Sequence, residues 1–552
     1  MAKTLNGSKG CDVSTHLLLC AFVLRALREC FKGTPKELVF SEAAEYLAAV
    51  HDIGKATPAF QKKIYAAIGV EYFKNLPSAD VDHSKYSGWI LRQKFGEKFA
   101  ELAADHHGIA HNLGNPCLYN DTCEQVGGES WSSLRKEILH KTFELLHLEE
   151  KTVQIPDALK KEILGAVIVA DWISSSIELP WGITPENINI SQLVSEAGFR
   201  PLKVVAGLSF EDIFGFSPNS LQQVCCRKIV PGEINVIESE MGSGKTEAAL
   251  YIAYKLLESN SASGIYFALP TQLTSEKIHA RLNQFLQKIS GDSRAGNALL
   301  IHGNAHLEWN LHVEDEAEEN KEFVRDSWFQ SKKRALLAPF GAGTVDQALL
   351  AVLNARHNAV RAFALAGKVV IIDECHSYDH YTGFLLKKLI EKLREAHCTV
   401  LVLSATLTDK ARREFALLAP RQLSPGTLQA YPLVSGSFPD SQEELLIPFA
   451  GNPSRRVELS FRREEESLAL ALEKAEQGEQ VLWLENTVAK AQEVFRQLSC
   501  CAGNIELGLI HSRFPRCVRA ENENKWVDLL GKNGSALRNK CGRILVGTQV
   551  LE

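Results

Sequence analysis

Apolar residues recur with a helical period from Thr15 to about Glu29, and His16 stands at the start of that run. A second helix is predicted over 41–50, where Ser41 is placed as a cap, and it runs into His51-Asp52-Ile53-Gly54-Lys55. Further along, Ile163-Leu-Gly-Ala-Val-Ile-Val-Ala is an apolar segment ending in Ala170-Asp171-Trp172. From about Ser176 to Pro201 the helical pattern breaks at Pro180, Gly182, Pro185 and Gly198, and a domain linker is expected there.

Beyond that break the pattern changes. Short apolar runs of strand type, Ile234–Ile237, Gly264–Leu269, Lys368–Ile372 and Thr399–Leu403, alternate with helical segments such as Glu247–Leu257. Such alternation predicts a parallel sheet covered by helices. The last three strands are followed by polar residues, at the carboxyl edge where such sheets bind ligands: Pro270-Thr271-Gln272, Asp373-Glu374-Cys375-His376 and Ser404-Ala405-Thr406. The segment Leu311–Glu322 is acidic, lacks an apolar face and reads as a solvated insertion. A second lobe is expected after the loop-rich stretch Leu423–Ser454.

With 552 residues the chain exceeds one core, and roughly three or four domains are expected at ~150 residues each. The net charge of -6 argues against nucleic-acid binding by bulk charge while leaving room for a local basic channel. Thirteen cysteines form no Cys-x-x-Cys pair, and Cys225-Cys226 and Cys500-Cys501 are adjacent, which suits neither zinc nor a disulfide framework. They read as reduced thiols of a cytoplasmic protein. The first ten residues have no apolar core of signal-peptide type, and no apolar run reaches ~18 residues, so neither secretion nor membrane spanning is expected.

Two groups of residues carry chemistry. The first is Ser239-Glu-Met-Gly242-Ser243-Gly244-Lys245-Thr246, between a strand and a helix. A glycine loop there aims unpaired backbone N–H groups at an anion. Lys245 would reach the β- and γ-phosphates of ATP and Thr246 would hold magnesium. Ser239 replaces the first glycine of the full pattern, so the match is GxGKT. Asp373 at a strand end is placed to hold magnesium through water, and Glu374 to orient or deprotonate the attacking water.

The second group is a series of histidines. One His-Asp dipeptide is expected by chance among 17 histidines. His51-Asp52, however, has His16, His83, His106-His107 and Asp171 as companions, and together they predict one pocket in a helical bundle. Imidazole and carboxylate suit a transition metal better than magnesium or calcium. His106 and His107 can converge only at a helix end, which Gly108 provides.

The ordered series His16, His51-Asp52, His83, His106-His107, Asp171 resembles the HD metal-dependent phosphohydrolases. The words His-Asp-Ile-Gly-Lys-Ala-Thr-Pro-Ala-Phe-Gln and Ala-Asp-Trp-Ile-Ser-Ser resemble the nuclease branch found in CRISPR-associated nuclease-helicases of type I systems. The resemblance implies that Asp52 bridges two divalent metal ions, and a His-rich shell accepts iron, manganese, cobalt, nickel or zinc, which leaves the metal open. His16, His51 and Asp171 would complete one site, and His83, His106 and His107 the other. Two such cations activate water and clamp both oxygens of a phosphodiester displacement. Lys55 is either a neutraliser of phosphate charge or a solvated lysine.

Asp-Glu-x-His with Ser-Ala-Thr resembles the DExH helicases, and Gly343-Thr344-Val345-Asp346-Gln347-Ala348-Leu349 resembles the CRISPR branch. Gln222 stands where such helicases read adenine, with Gln223 competing. His376 and Thr406 are expected to couple nucleotide state to the strand, and Thr271, Gln272, Thr344, Asp346, Gln347, Ser404, Thr548 and Gln549 to couple or bind DNA. Val481–Val488, the helix 489–498, Ile510-His511-Ser512-Arg513-Phe514 and Arg543–Gln549 resemble the opening of the family's second lobe.

The expected fold is therefore an all-α HD-type domain (1–200), a first RecA-like lobe (201–422) and an incomplete second lobe (423–552). The chain stops at Glu552 before the helix that carries the family's closing arginines, as a truncation, a split motor or a lost one would. The leading expectation is a metal-dependent single-stranded DNA nuclease coupled to an ATP-driven helicase, with magnesium at the nucleotide. The family implies 3′-to-5′ travel on DNA exposed by an RNA-guided CRISPR surveillance complex. The alternatives are an ATP-independent nuclease with the motor as a clamp, and a non-catalytic binding module.

Overall fold

The computed structural model describes residues 1–5, 7–70, 82–228, 231–290, 297–301, 328–331, 333–375, 378–418, 431–436, 457–530 and 541–548. The acidic stretch 311–322, His376 and Gln549 lie outside the described residues. Two compact units are formed, 1–452 and 453–552.

The first unit opens with a small hairpin, β1 (Thr4–Leu5) and β2 (Ser8–Lys9), leading into α1 (Val13–Cys30). Asp12 caps α1 by accepting from the Thr15 amide. Helices α2 (Glu42–Val50), α3 (Pro58–Ala66), α4 (His83–Phe95), α5 (Glu97–Ala104), α6 (Gly128–Leu146) and α7 (Lys160–Ser174) follow. Ser41 occupies the N-cap position of α2 but makes no side-chain cap bond. In α7 every residue from Glu162 to Asp171 is buried, so its apolar run is a helix enclosed on all sides. The stretch where the pattern breaks holds a 3-10 turn at Pro185–Asn187 and a short helix, α8 (Ile190–Glu196).

The same unit contains β3 (Ile234–Glu238), β4 (Ile265–Leu269), β5 (Leu299–Ile301), β6 (Phe340–Thr344), β7 (Val369–Ile372), β8 (Thr399–Ser404) and β9 (Leu433–Ser435). They form one sheet in the order β5-β6-β4-β7-β8-β3-β9, parallel except for β9, an antiparallel edge strand on β3. Among its helices are α9 (Phe210–Phe214), α10 (Ser220–Lys228), α11 (Lys245–Glu258), α12 (Gln272–Ile289), α13 (Val345–Leu349), α14 (Asn358–Leu365), α15 (His380–Glu395) and α16 (Asp409–Leu417).

Alternate residues of each strand serve different cores. Ile237, Ile265, Phe267, Ile371 and Leu403 pack against α11 and α12. Val236, Tyr266, Ala268, Val370 and Val402 join the core that also contains α1, α2, α7 and α14. Both faces are thus covered, which explains why the strands read as nearly continuous apolar runs.

Helix α7 meets α14 at Gly165, where an added Cβ would lie 2.1 Å from the Ala359 carbonyl oxygen. The helical part and the sheet therefore share a core closed by a missing side chain.

In the second unit, β10 (Gln480–Leu484), β11 (Glu506–Ile510) and β12 (Arg543–Gly547) form a parallel sheet in the order β10-β12-β11. One core packs Ile544 and Val546 against α17 (Glu464–Glu476) and α18 (Val488–Cys501). A smaller one joins Ile510 and Leu545 to Trp526 of α19 (Arg516–Leu530).

Gly165→Val would force a branched side chain into the α7–α14 contact at a cost of about 1–3 kcal/mol. A clearly lowered Tm in a thermal scan is expected; an unchanged Tm would contradict the close approach.

Candidate metal centre and nucleotide site

The histidine series comes from separate turns of the helical part. His16 projects from the first turn of α1, His51 closes α2, and Asp52 begins the 3-10 turn Ile53–Lys55. His83 opens α4, Asp171 sits near the end of α7, and His106 and His107 lie in the 3-10 turn Asp105–His107. That turn stops at Gly108 in the left-handed region (φ 74°), which lets two consecutive imidazoles reach one place.

The other six side chains of the series gather around Asp52, which is 1% exposed. Its Oδ2 lies 2.9 Å from His16 Nε2, 3.6 Å from His51 Nε2 and 2.6 Å from Lys55 Nζ. Its Oδ1 lies 3.2 Å from both His83 Nε2 and His106 Nε2. Asp171 Oδ1 is 3.3 Å from His16 Nε2 and 3.8 Å from His51 Nε2. His107 Nε2 is 3.0 Å from His83 Nε2. Two groups of metal-ligand type result, His16-His51-Asp52-Asp171 and His83-His106-His107. One carboxylate faces both.

Burial raises the cost of charge on Asp52, but Lys55, His51 and His106 outweigh it and hold the carboxyl well below its usual range. Asp171 is also lowered: burial opposes its charge and His16 and His51 prevail. Lys55 is no solvated lysine; it is buried and paired with Asp52.

The donor set fits divalent transition metals. His51 Nε2, His106 Nε2 and Asp52 Oδ1 are buried and crowded, with His51 Nε2 3.6 Å from Asp52 Oδ2 and His106 Nε2 3.2 Å from Asp52 Oδ1, yet none makes a well-directed hydrogen bond among the described residues. Such atoms are costly unless something coordinates them. The opposite nitrogens are held by backbone: His51 Nδ1 lies 3.0 Å from the Ala48 carbonyl and His106 Nδ1 2.7 Å from that of Ala103. This fixes each ring with Nε2 facing the centre.

Sequence reasoning missed Asp82, which lies 3.1 Å from His83 Nδ1 and caps α4 through the Ser84 amide. It also missed Asp105, which braces the histidine turn by accepting from the His111 amide at 2.8 Å. Both precede a histidine in the chain, and that adjacency was the available signal.

The sheet assembles the second site by strand order. The residues following β4, β7, β8 and β3, and those ending β6, share one edge because these strands are parallel neighbours. After β3, Gly242 (φ 75°) and Gly244 (φ 88°) take left-handed conformations around Ser243, and α11 starts at Lys245. Lys245 Nζ donates to the carbonyls of Ser239 (2.6 Å) and Glu240 (2.9 Å). Burial lowers its pKa, with Asp373 and Glu374 opposing. Thr246 follows it in the first turn of α11.

Asp373 leaves β7 with its amide bonded to the Ala268 carbonyl, and its Oδ1 accepts from the Glu374 amide at 2.9 Å. Burial, then the neighbouring Glu374, push the Asp373 carboxyl up to about 6. Glu374 has a positive φ of 53°, a strained conformation for a residue with a Cβ. The loops after β3 and β8 are joined where the Ser239 amide donates to the Ser404 carbonyl, while Ser404 Oγ donates to the Thr406 carbonyl.

Of the two glutamines, Gln222 is buried against the phosphate loop and its Nε2 donates to the Gly244 carbonyl. Gln223 is exposed and bonds the Pro218 carbonyl instead. Asn219, absent from the sequence candidates, donates to the Ser243 carbonyl at 2.9 Å. Thr271 caps α12 by accepting from the Thr274 amide, and Gln272 is the first residue of that helix. Thr344 precedes α13, with Asp346 exposed and Gln347 accepting from Arg361. Thr548 is buried after β12 in the second unit.

A family profile described as "Cas3, HD domain" matches residues 6–179, one for "DEAD/DEAH box helicase" matches 219–415, and one for "CRISPR-associated nuclease/helicase Cas3, C-terminal" matches 477–552. The chain is 29% identical to a CRISPR-associated nuclease/helicase Cas3 of Streptococcus thermophilus, over 92% of this chain and 61% of that one. It is 30% identical to a CRISPR-associated endonuclease/helicase Cas3 of Thermus thermophilus, over 94% of this chain and 64% of that one. A crystal structure of T. fusca Cas3 with AMPPNP superposes with a TM-score of 0.80 at 26% identity, over 98% of this chain and 67% of that one. A chain of a structure titled "CRISPR RNA-guided surveillance complex, pre-nicking" gives 0.67 at 26% identity, over 98% and 66%. The chain thus spans less than two thirds of the length of these two curated relatives. The three profiles match in one order, with the doubled histidine centre inside the first and the phosphate loop inside the second, and the chain belongs to the Cas3 family of CRISPR-associated nuclease-helicases.

Proposed function

We propose that this chain hydrolyses single-stranded DNA at a two-metal centre in 1–200, supplied by an ATP-driven motor whose first lobe extends past the expected boundary at 422 to include β9 and whose second begins within 453–552. The observation that carries the reading is the Asp52 carboxylate, each oxygen of which faces a different histidine group. The work is CRISPR defence in the cytoplasm, on DNA exposed by an RNA-guided surveillance complex. The similar chain within such a complex supports that partner. No described helix is long and apolar enough to cross a membrane.

In this reading His16, His51 and Asp171 would hold one divalent ion and His83, His106 and His107 the other, with Asp52 shared between them, the ions being from among iron, manganese, cobalt and nickel. The pair supplies Lewis acidity at the phosphodiester. The carbonyls of Ala48 and Ala103 keep two of the imidazoles in the ligating tautomer. Lys55 balances the charge of the bridging carboxylate, and burial around Asp52 keeps water from competing for it.

At the nucleotide site the backbone of Gly242, Ser243 and Gly244 cradles the phosphates of ATP. Lys245 exchanges its two carbonyl partners for phosphate oxygens, Thr246 and Asp373 hold magnesium, and Glu374 orients the attacking water. Gln222 serves the nucleotide by holding the loop. Thr271, Gln272, Thr344, Asp346, Gln347, Ser404, Thr406 and Thr548 bind the strand or couple it to nucleotide state, a role extended to His376 and Gln549.

Degradation of circular single-stranded and duplex DNA with manganese, cobalt, nickel or iron, with and without ATP, tests the reading. Asp52→Ala is expected to lower cleavage by about a thousandfold, since several kcal/mol of metal stabilisation are lost. Cleavage at the wild-type rate by Asp52→Ala would remove the nuclease assignment. Lys245→Ala is expected to abolish ATP turnover; turnover at the wild-type rate would remove Lys245 from the site.

A pH dependence follows from Asp373, whose carboxyl titrates near 6 without magnesium. A proton then competes with the metal. Affinity for magnesium-ATP should fall as the pH drops from about 7.5 to about 5.5, and Asp373→Asn should flatten that dependence. Calorimetric titrations at both pH values check it; equal affinity at both would contradict magnesium at Asp373.

A further inference from the structure

Lys3 is a second lysine on the segments that frame the histidine centre, and it belongs to the amino-terminal stretch tied to them. The backbone fixes its place from two directions. Toward α1, the Ala2 amide donates to the Cys11 carbonyl at 2.8 Å and the Gly10 amide to the Lys3 carbonyl at 3.1 Å. The hairpin continues with Thr4 paired to Lys9 and Leu5 to Ser8. Gly10 is required for this approach, because a Cβ there would lie 2.7 Å from the Lys3 carbonyl oxygen. Toward the Asp52 turn, the buried Gln61 donates through Nε2 both to the Met1 carbonyl (2.8 Å) and to the Lys55 carbonyl (2.7 Å). The strand is therefore tied at one end to the turn carrying Asp52 and Lys55, and at the other to the segment that starts α1 and presents His16.

The two lysines differ in their partners. Lys55 Nζ is committed to Asp52 at 2.6 Å. The Lys3 ammonium has no hydrogen bond or ion pair among the described residues, although Lys3 is half-buried. Burial lowers its pKa, and the charges that act on it are Asp171, Lys55, Cys11 and Asp52. A half-desolvated ammonium that feels the charge of Asp171 and Asp52 but pairs with neither is free for an incoming anion once metals neutralise those carboxylates. A phosphodiester brings one negative charge and non-bridging oxygens that accept charge-assisted hydrogen bonds.

We propose that Lys3 binds a non-bridging oxygen of the DNA phosphate at or next to the scissile bond, while Lys55 stays with Asp52. This inference rests on the nuclease reading above. It adds a substrate-binding residue that lies outside the histidine-aspartate series. In a merely structural role, Lys3 would balance the charge of Asp52 and Asp171 and its loss would release metal.

The test uses the full chain loaded with manganese and a short single-stranded oligonucleotide, without ATP. Cleavage rates are measured across a salt series, and bound metal by elemental analysis. Lys3→Gln is expected to lower kcat/KM by about tenfold to a hundredfold with metal content unchanged. The slope of its logarithm against that of salt concentration should become shallower by about 0.7, the value for one phosphate contact on a single strand. Lys3→Arg should recover to within about threefold of wild type, since it keeps the charge.

Wild-type rates in Lys3→Gln would overturn the proposal. So would a loss of activity in step with lost metal, or a loss that arginine does not restore and that leaves the salt slope unchanged. Wild-type protein that holds manganese yet leaves the oligonucleotide intact would overturn the nuclease reading, and this inference with it.

Discussion

An aspartate removed from water must be surrounded by positive charge, hydrogen-bond donors or metal, because an uncompensated buried anion costs more than a domain can spare. Asp52 is such a residue, and the helical part is built to meet that demand. Four helices and one 3-10 turn each deliver one or two groups to its surroundings, and Lys55 pairs with it from its own turn. The Nε2 atoms of His51 and His106 and the Oδ1 of Asp52, none of them in a well-directed hydrogen bond, face one another as the ligand atoms of a metal site would.

That centre is also locked to the sheet. Helix α7, which carries Asp171, lies in the same core as one face of the sheet and touches α14 through Gly165. The turn that carries His106 and His107 is tied to the residue before α14, where the His357 amide donates to the Gly108 carbonyl at 3.1 Å. Within the first unit, the nucleotide edge of the sheet and the histidine centre are therefore supported by one packed body. A core at native density transmits displacement instead of absorbing it.

Much of this was legible in the sequence because the relevant physics is local. The apolar run before Asp171, the strand runs before Asp373 and Ser404, and the glycine loop before Lys245 each announce an element and the polar residue at its end. The order of an all-α part followed by a parallel α/β part could be read in the same way. What could not be read depends on distant partners. That both oxygens of Asp52 are used, that Lys55 is buried, and that Gln222 holds the loop while Gln223 faces solvent are facts of packing between segments. The antiparallel β9 and the hairpin β1–β2 are too short to give a periodic signal. The shared core was hidden behind a stretch whose prolines and glycines read as a linker, and Gly165 signals nothing until α14 is seen against it.

The central claim is that one carboxylate bridges two metal positions, and anomalous diffraction from manganese-soaked crystals tests it most directly. Two peaks are predicted on opposite sides of Asp52, one among His16, His51 and Asp171 and the other among His83, His106 and His107. A single peak, or two peaks that do not both contact Asp52, would contradict the account.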